Sequence, residues 1–169
     1  STGIEGRHAD PNVFVQMDTY AVKGLQTGQI QFLYAPTHLN PTYEYGVTFE
    51  RGTAVTYGDR KQIFISGTAS IDNQGEIMYP GDILKQTERM LENIDTLLQE
   101  AGGGLQDIMQ AIVYLRDPAD YVVVKQYIES RYPSFLHLIV HAPVCRPGWL
   151  IETECIAVIP ADAPQYAYL

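Results

Sequence analysis

Apolar positions recur at two different periods along this chain, and the switches between them delimit its elements. The clearest run is Ile83, Thr87, Met90, Leu91, Ile94, Leu97, Leu98 and Ala101, spaced by threes and fours. That spacing puts all of them on one side of a helix. Asp82 is a suitable N-cap, because its carboxylate can accept from backbone N–H groups the first turn leaves unpaired. Gly102-Gly103-Gly104 then ends the helix.

Elsewhere β-branched and aromatic residues gather in short runs between turn formers. Gln62 to Ile71 predicts a strand in which Gly67 permits a bulge or close backbone approach. Asp72-Asn73-Gln74-Gly75 follows as a turn. Ile108–Arg116, His137–His141 and Leu150–Ile159 read as further strands, and Val47–Phe49 with Ala54-Val55 as weaker ones. Asp117-Pro118 offers a cap and a preset first helical residue, so Ala119–Arg131 reads as a second helix. Its Val122-Val123-Val124 would also suit a strand. Phe14-Val15 and Ile30–Tyr34 suggest short strands in a weakly patterned leading region. The order predicts an α+β fold, a single mixed sheet with two helices packed on one face. Apolar residues on the other face then need a cover, and neighbouring copies of the chain are the natural one.

A chain of 169 residues suits one main domain. Its expected divisions are residues 1–10, an elaboration over 11–45, the domain proper at 46–160 and a tail at 161–169. Ile4-Glu5-Gly6-Arg7 matches a protease-cleavage sequence common in cloning vectors, so residues 1–10 are set aside. The net charge of −9 and the lack of a basic stripe argue against nucleic acid as a partner. No apolar run approaches membrane-spanning length. Two cysteines and no secretory leader lead us to expect a reducing, cytoplasmic setting.

The chemistry concentrates near the end of the chain. On the last strand Leu150, Glu152, Glu154, Ile156 and Val158 share one face, and Ile151, Thr153, Cys155 and Ala157 the other. Glu152 lies either at a solvated margin of the sheet or in a partly dry cleft. In a cleft its pKa would rise and it could act as a general acid or base. The turn Cys145-Arg146-Pro147-Gly148-Trp149 adds a guanidinium able to grip a carboxylate. It also adds a thiol that Arg146 could favour as thiolate and an indole suited to an interface or a core cap. Ser66-Gly67-Thr68 can present backbone N–H groups to an anion. His137 and His141 fit hydrogen bonding better than metal binding. No phosphate loop, dinucleotide fingerprint or metal-ligand set appears, so no cofactor or metal is expected.

Taken together, several motifs resemble the RidA/YjgF superfamily. They are Phe64–Ala69, Gly81-Asp82 with Gln86 and Asn93, Val113–Asp117 and Ile151–Val158. The resemblance implies a chorismate-mutase-like trimer with clefts between subunits and hydrolysis of enamines or imines derived from amino acids. It assigns a positioning or protonating role to Glu152 and places Ser66 and Gly67 at the cleft. Where those deaminases carry an arginine on the next-to-last strand, this chain has His137–His141. The segment Cys145–Glu152, with Ser66–Ile71, Tyr114-Leu115-Arg116 and Phe49-Glu50-Arg51, is similar to the C-terminal domain of chorismatases, which release pyruvate from chorismate. That similarity implies Glu152 as proton donor to an enol ether, and Arg51, Arg116 and Arg146 as carboxylate ligands. It puts Cys145 near the ring, with Tyr114 and Trp149 in the site. The expected partner is a small carboxylate-bearing molecule, to be transformed by a hydrolase or held by a non-catalytic binding protein on the same trimeric scaffold.

Overall fold

The computed structural model describes residues 1–168, leaving aside the side chain of Tyr45. Six strands join in one sheet: β1 (Ile30–Leu33), β2 (Gly52–Thr56), β3 (Arg60–Ala69), β4 (Ile108–Leu115), β5 (His137–His141) and β6 (Ile151–Pro160). Their spatial order is β1-β2-β3-β6-β4-β5. Every neighbouring pair is antiparallel except β4 with β5, so the sheet is mixed.

Two helices make the long connections. β3 and β4 both run antiparallel to β6, hence parallel to each other, and α1 (Ile83–Glu100) crosses between them. α2 (Tyr121–Arg131) makes the crossover from β4 to its parallel neighbour β5. Both crossovers step across the sheet in the same direction, and right-handed connections then put both helices on one face. Between helices and sheet lies a continuous core. Ile63, Ile65, Val113, Ile151 and Ala157 of the sheet meet Met90, Leu91, Ile94, Leu97 and Leu98 of α1 and Val124 and Ile128 of α2. The segment that could have been helix or strand is a helix, because Val124 and Ile128 together reach this core.

Three expectations about strands need correction. Phe14-Val15 pairs with no strand among the described residues, and Phe14 is 92% exposed. Val47–Phe49 is likewise outside the sheet, and β2 begins only at Gly52. β3 stops at Ala69, and Ile71 makes only an isolated bridge with Ile77. There the Asp72 carboxylate accepts from the N–H groups of Gln74 and Glu76 at 2.9 and 3.0 Å, turning the chain away from the sheet. The leading region does supply one real strand, since β1 pairs with β2 at the sheet edge.

The buried face of α1 is not purely apolar. Asn93 donates to the carbonyls of Ala69 and Ile71, both at 3.0 Å, and thereby clamps the end of β3 to the helix. Arg89 adds bonds to the carbonyls of Ile71 and His38 at 3.1 and 3.3 Å. Replacing Asn93 by leucine leaves two carbonyls in a dry place without that donor. Asn93→Leu is therefore expected to cost about 1–3 kcal/mol, read by urea unfolding. An unchanged midpoint would show that the clamp contributes nothing.

Candidate active site

The site begins with an irregularity in β3. Ile65 lies opposite Cys155 and Thr68 opposite Thr153, so three residue steps on β3 face two on β6. The extra residue makes a β-bulge at Ser66-Gly67, where the strands part locally. Into that gap goes the carboxyl group of Glu152. A Cβ on Gly67 would fall 2.1 Å from Glu152 Oε1, so no other residue fits there without displacing the acid.

Glu152 is only 3% exposed, which decides between the two sequence readings in favour of the dry one. Among the described residues its carboxyl receives no hydrogen bond. Burial first, and the neighbouring Glu154 second, push its pKa from 4.5 up to about 7. Tyr114 sits directly opposite Glu152 on β4, yet its phenol donates to Glu154 Oε1 at 2.7 Å. Burial, then the hydrogen bond to Glu154, push that phenol strongly upward. A buried acid without a donor and a carboxyl held by a phenol thus stand side by side.

The loop after β5 closes one end. Arg116 donates to the carbonyls of Trp149, Val144 and Arg146 at 2.8, 2.6 and 2.8 Å, drawing the loop around its guanidinium. From α1, Gln86 donates to the Gly148 carbonyl at 3.0 Å and accepts from the Leu150 N–H at 3.0 Å. Trp149 packs against the core, and its buried Nε1 has no partner among the described residues. Arg146 stacks on the indole at 5.1 Å.

The arginines expected at a carboxylate therefore have different places. Arg51 is buried and donates to the Asn40 carbonyl and Oδ1 at 2.9 and 3.0 Å. Arg116 holds the loop. Arg146 is the one whose charge reaches Cys145, where it opposes two stronger influences: burial and Glu152 raise the thiol's pKa. The expectation of an activated thiolate thus fails on electrostatics, because burial first, and the Glu152 charge once that acid has ionised, favour the neutral thiol.

Beside Glu154 the open face of the sheet holds a cleft of about 490 Å³, walled by Phe64, Ser66, Gln110, Ile112 and Ile156 and by residues 18–20. The leading residues set aside above also reach it. Thr2 Oγ1 accepts from the Gly67 N–H at 2.9 Å, the Cys145 thiol donates to the Gly3 carbonyl at 3.1 Å, and Ile4 bridges Val144. Ser66, Gly67, Cys145, Glu152 and Tyr114 are thus brought into one neighbourhood. The Arg51 guanidinium is bonded to Asn40.

The sequence model of the endoribonuclease L-PSP family matches residues 52–159, the stretch that builds β2 through β6. The chain belongs to the RidA/YjgF superfamily. The 3-aminoacrylate deaminase RutC of Acinetobacter baylyi is 31% identical over 97 residues, covering 56% of this chain and 77% of that protein. A RutC family protein of Pyrococcus abyssi is 35% identical over 97 residues, 56% of this chain and 76% of its own. Among solved structures, RidA from an Antarctic Psychrobacter superposes with a TM-score of 0.63 at 24% identity, covering 76% of this chain and 99% of that one. Escherichia coli TdcF with bound serine gives 0.62 at 21%, covering 76% and 98%. These two likenesses establish the fold. Among the described residues no helix is long and apolar enough to cross a membrane.

The raised pKa of Glu152 has a consequence for stability. Below pH 4.5 the carboxyl is protonated both folded and unfolded, and the site costs nothing. As pH rises from there to about 7 the unfolded chain releases a proton that the folded chain retains, so stability falls. Above about 7 the loss is complete, at about 3 kcal/mol for a rise of this size. Glu152→Gln removes the titration, so the variant is expected to match the parent near pH 4 and to exceed it by about 3 kcal/mol at pH 8. Denaturant unfolding at the two pH values checks this, and a pH-independent difference would contradict it.

Proposed function

We propose that the chain is a hydrolase that protonates the electron-rich carbon of a small enamine, with Glu152 as the acid. The observation that carries this reading is a buried carboxyl group beside Glu154 with no donor among the described residues, whose pKa burial raises to about 7. A general acid works best when its pKa lies near the working pH. Protonation at carbon turns an enamine into an iminium cation, and the anionic neighbour favours that developing charge. Water then adds, returning a proton to Glu152, and the nitrogen leaves as ammonia from a carbonyl product. The similarity to a 3-aminoacrylate deaminase supports the enamine as substrate class.

In this reading Arg146, which stacks on Trp149 and donates to the Gly75 carbonyl at 3.4 Å, is the arginine assigned to a substrate carboxylate, and the Gly67 N–H, now bonded to Thr2, is the donor a substrate oxygen would take over. The chain assembles as a homotrimer, which would cover the exposed Phe32 and Leu138 of the open sheet face and wall each cleft with a neighbouring copy. Cleavage of an enol ether, with pyruvate released from chorismate, is the second reading. It is favoured by the Cys145–Glu152 segment and uses the same protonation of an electron-rich carbon.

Ammonia release from 2- and 3-aminoacrylate, beside pyruvate release from chorismate, tests both readings. Glu152→Gln is expected to lower turnover by about 10²–10⁴-fold while leaving the fold intact. Full turnover in that variant would remove Glu152 from the mechanism. Light scattering on the active species is expected to give about three chain masses, and a monomer with undiminished turnover would contradict the shared cleft.

A further inference from the structure

We propose that Tyr114 and Glu154 are a positioning pair for Glu152: the phenol takes Glu154 as its acceptor and leaves Glu152 with no donor, so that a proton held by the two carboxyls belongs on Glu152. The proposal rests on reading Glu152 as the acid, and concerns what makes it one. Glu154 is two residues from Glu152 on β6, so both side chains emerge on the same face. Tyr114 stands opposite Glu152 in the β4–β6 register, where a hydrogen bond to its direct neighbour would be the simplest outcome. It instead donates to Glu154 Oε1 at 2.7 Å. The two carboxyls are therefore inequivalent, because one has a phenol donor and the other has none among the described residues. A hydrogen bond to the charged form of an acid favours that form, so a single proton shared by the pair belongs on Glu152.

The groups that β3 and the loop place around Glu152 do not supply this asymmetry. β3 contributes only the uncharged Ser66 and Gly67. The loop brings Cys145, which stays a thiol, and Arg146, whose charge acts on Cys145. Asp18 and the Ser1 amino group line the adjoining cleft, and the amino group's attraction is to Glu154. That attraction acts in the same sense as the phenol; it is retained in Tyr114→Phe and removed, with the charge itself, in Glu154→Gln. A neutral Glu152 next to an anchored anion is suited to substrates that become cationic when protonated, and unsuited to stabilising an anionic intermediate.

The test follows the proton rather than the activity. In the full-length protein, labelled with 13C at the glutamate carboxyls, the Glu152 signal is identified by its loss in Glu152→Gln and followed through a pH titration. The parent is expected to titrate near 7. Glu154→Gln is expected to lower the Glu152 midpoint by roughly one pH unit, since the like charge is gone while burial remains. Tyr114→Phe, which keeps the ring, is expected to remove the inequivalence and spread the proton over both carboxyls, so that the Glu152 step broadens and moves away from 7. If both variants remain folded and Glu152 still titrates near 7 in each, burial alone holds the proton and the pair is refuted, though the general-acid reading survives. If Glu152 in the parent titrates in the ordinary carboxylate range, the general-acid reading falls and the pair falls with it.

Discussion

The site depends on one close contact, the carboxyl of Glu152 set against the bare Cα of Gly67. The bulge in β3 creates the gap, glycine leaves it open, and β6 delivers the acid into it. Burying a carboxyl without a hydrogen-bond donor is unfavourable to its charged form by several kcal/mol, so the group keeps its proton instead. Gly67 is therefore less a flexible joint than a space reserved for another residue's side chain.

The surrounding polar network serves the same end. Gln86 and Asn93 sit on the buried face of α1, a position where apolar residues would pack as well. Asn93 ties down the end of β3 just past the bulge, and Gln86 ties down Gly148 and Leu150 just before β6. Arg116 gathers the intervening loop by its carbonyls. All three fix the backbone on either side of Glu152. Such buried hydrogen bonds contribute modestly to net stability but specify geometry closely, and geometry is what a proton donor requires.

Much of this was legible in the sequence. The stripe from Ile83 to Ala101 gave α1 with its Asp82 cap, and the bounds of β5 at His137–His141 agree with the structure. Strand alternation alone placed Glu152 and Glu154 on one face, and the motifs named the superfamily. What failed was whatever depends on distant partners. Phe14-Val15 and Val47–Phe49 have strand-like composition, but β-propensity reflects a neighbouring strand to pack against, and neither segment has one. The roles of the arginines were equally hidden. The chorismatase-like motifs implied Arg51, Arg116 and Arg146 as carboxylate ligands, whereas Arg51 and Arg116 bond to backbone carbonyls, which carry no sequence signal. The choice of Tyr114 to bond Glu154 instead of Glu152 likewise requires the register of β4 on β6.

The central claim is that Glu152 is an un-ionised acid in the folded protein at a pH where ordinary glutamates are charged. Infrared spectroscopy measures this directly, because a protonated carboxyl absorbs apart from a carboxylate. At pH 6 the difference spectrum between the parent and Glu152→Gln is expected to contain the band of one protonated carboxyl, present in the parent and absent from the variant. A difference spectrum showing only the loss of a carboxylate would contradict the account at its base.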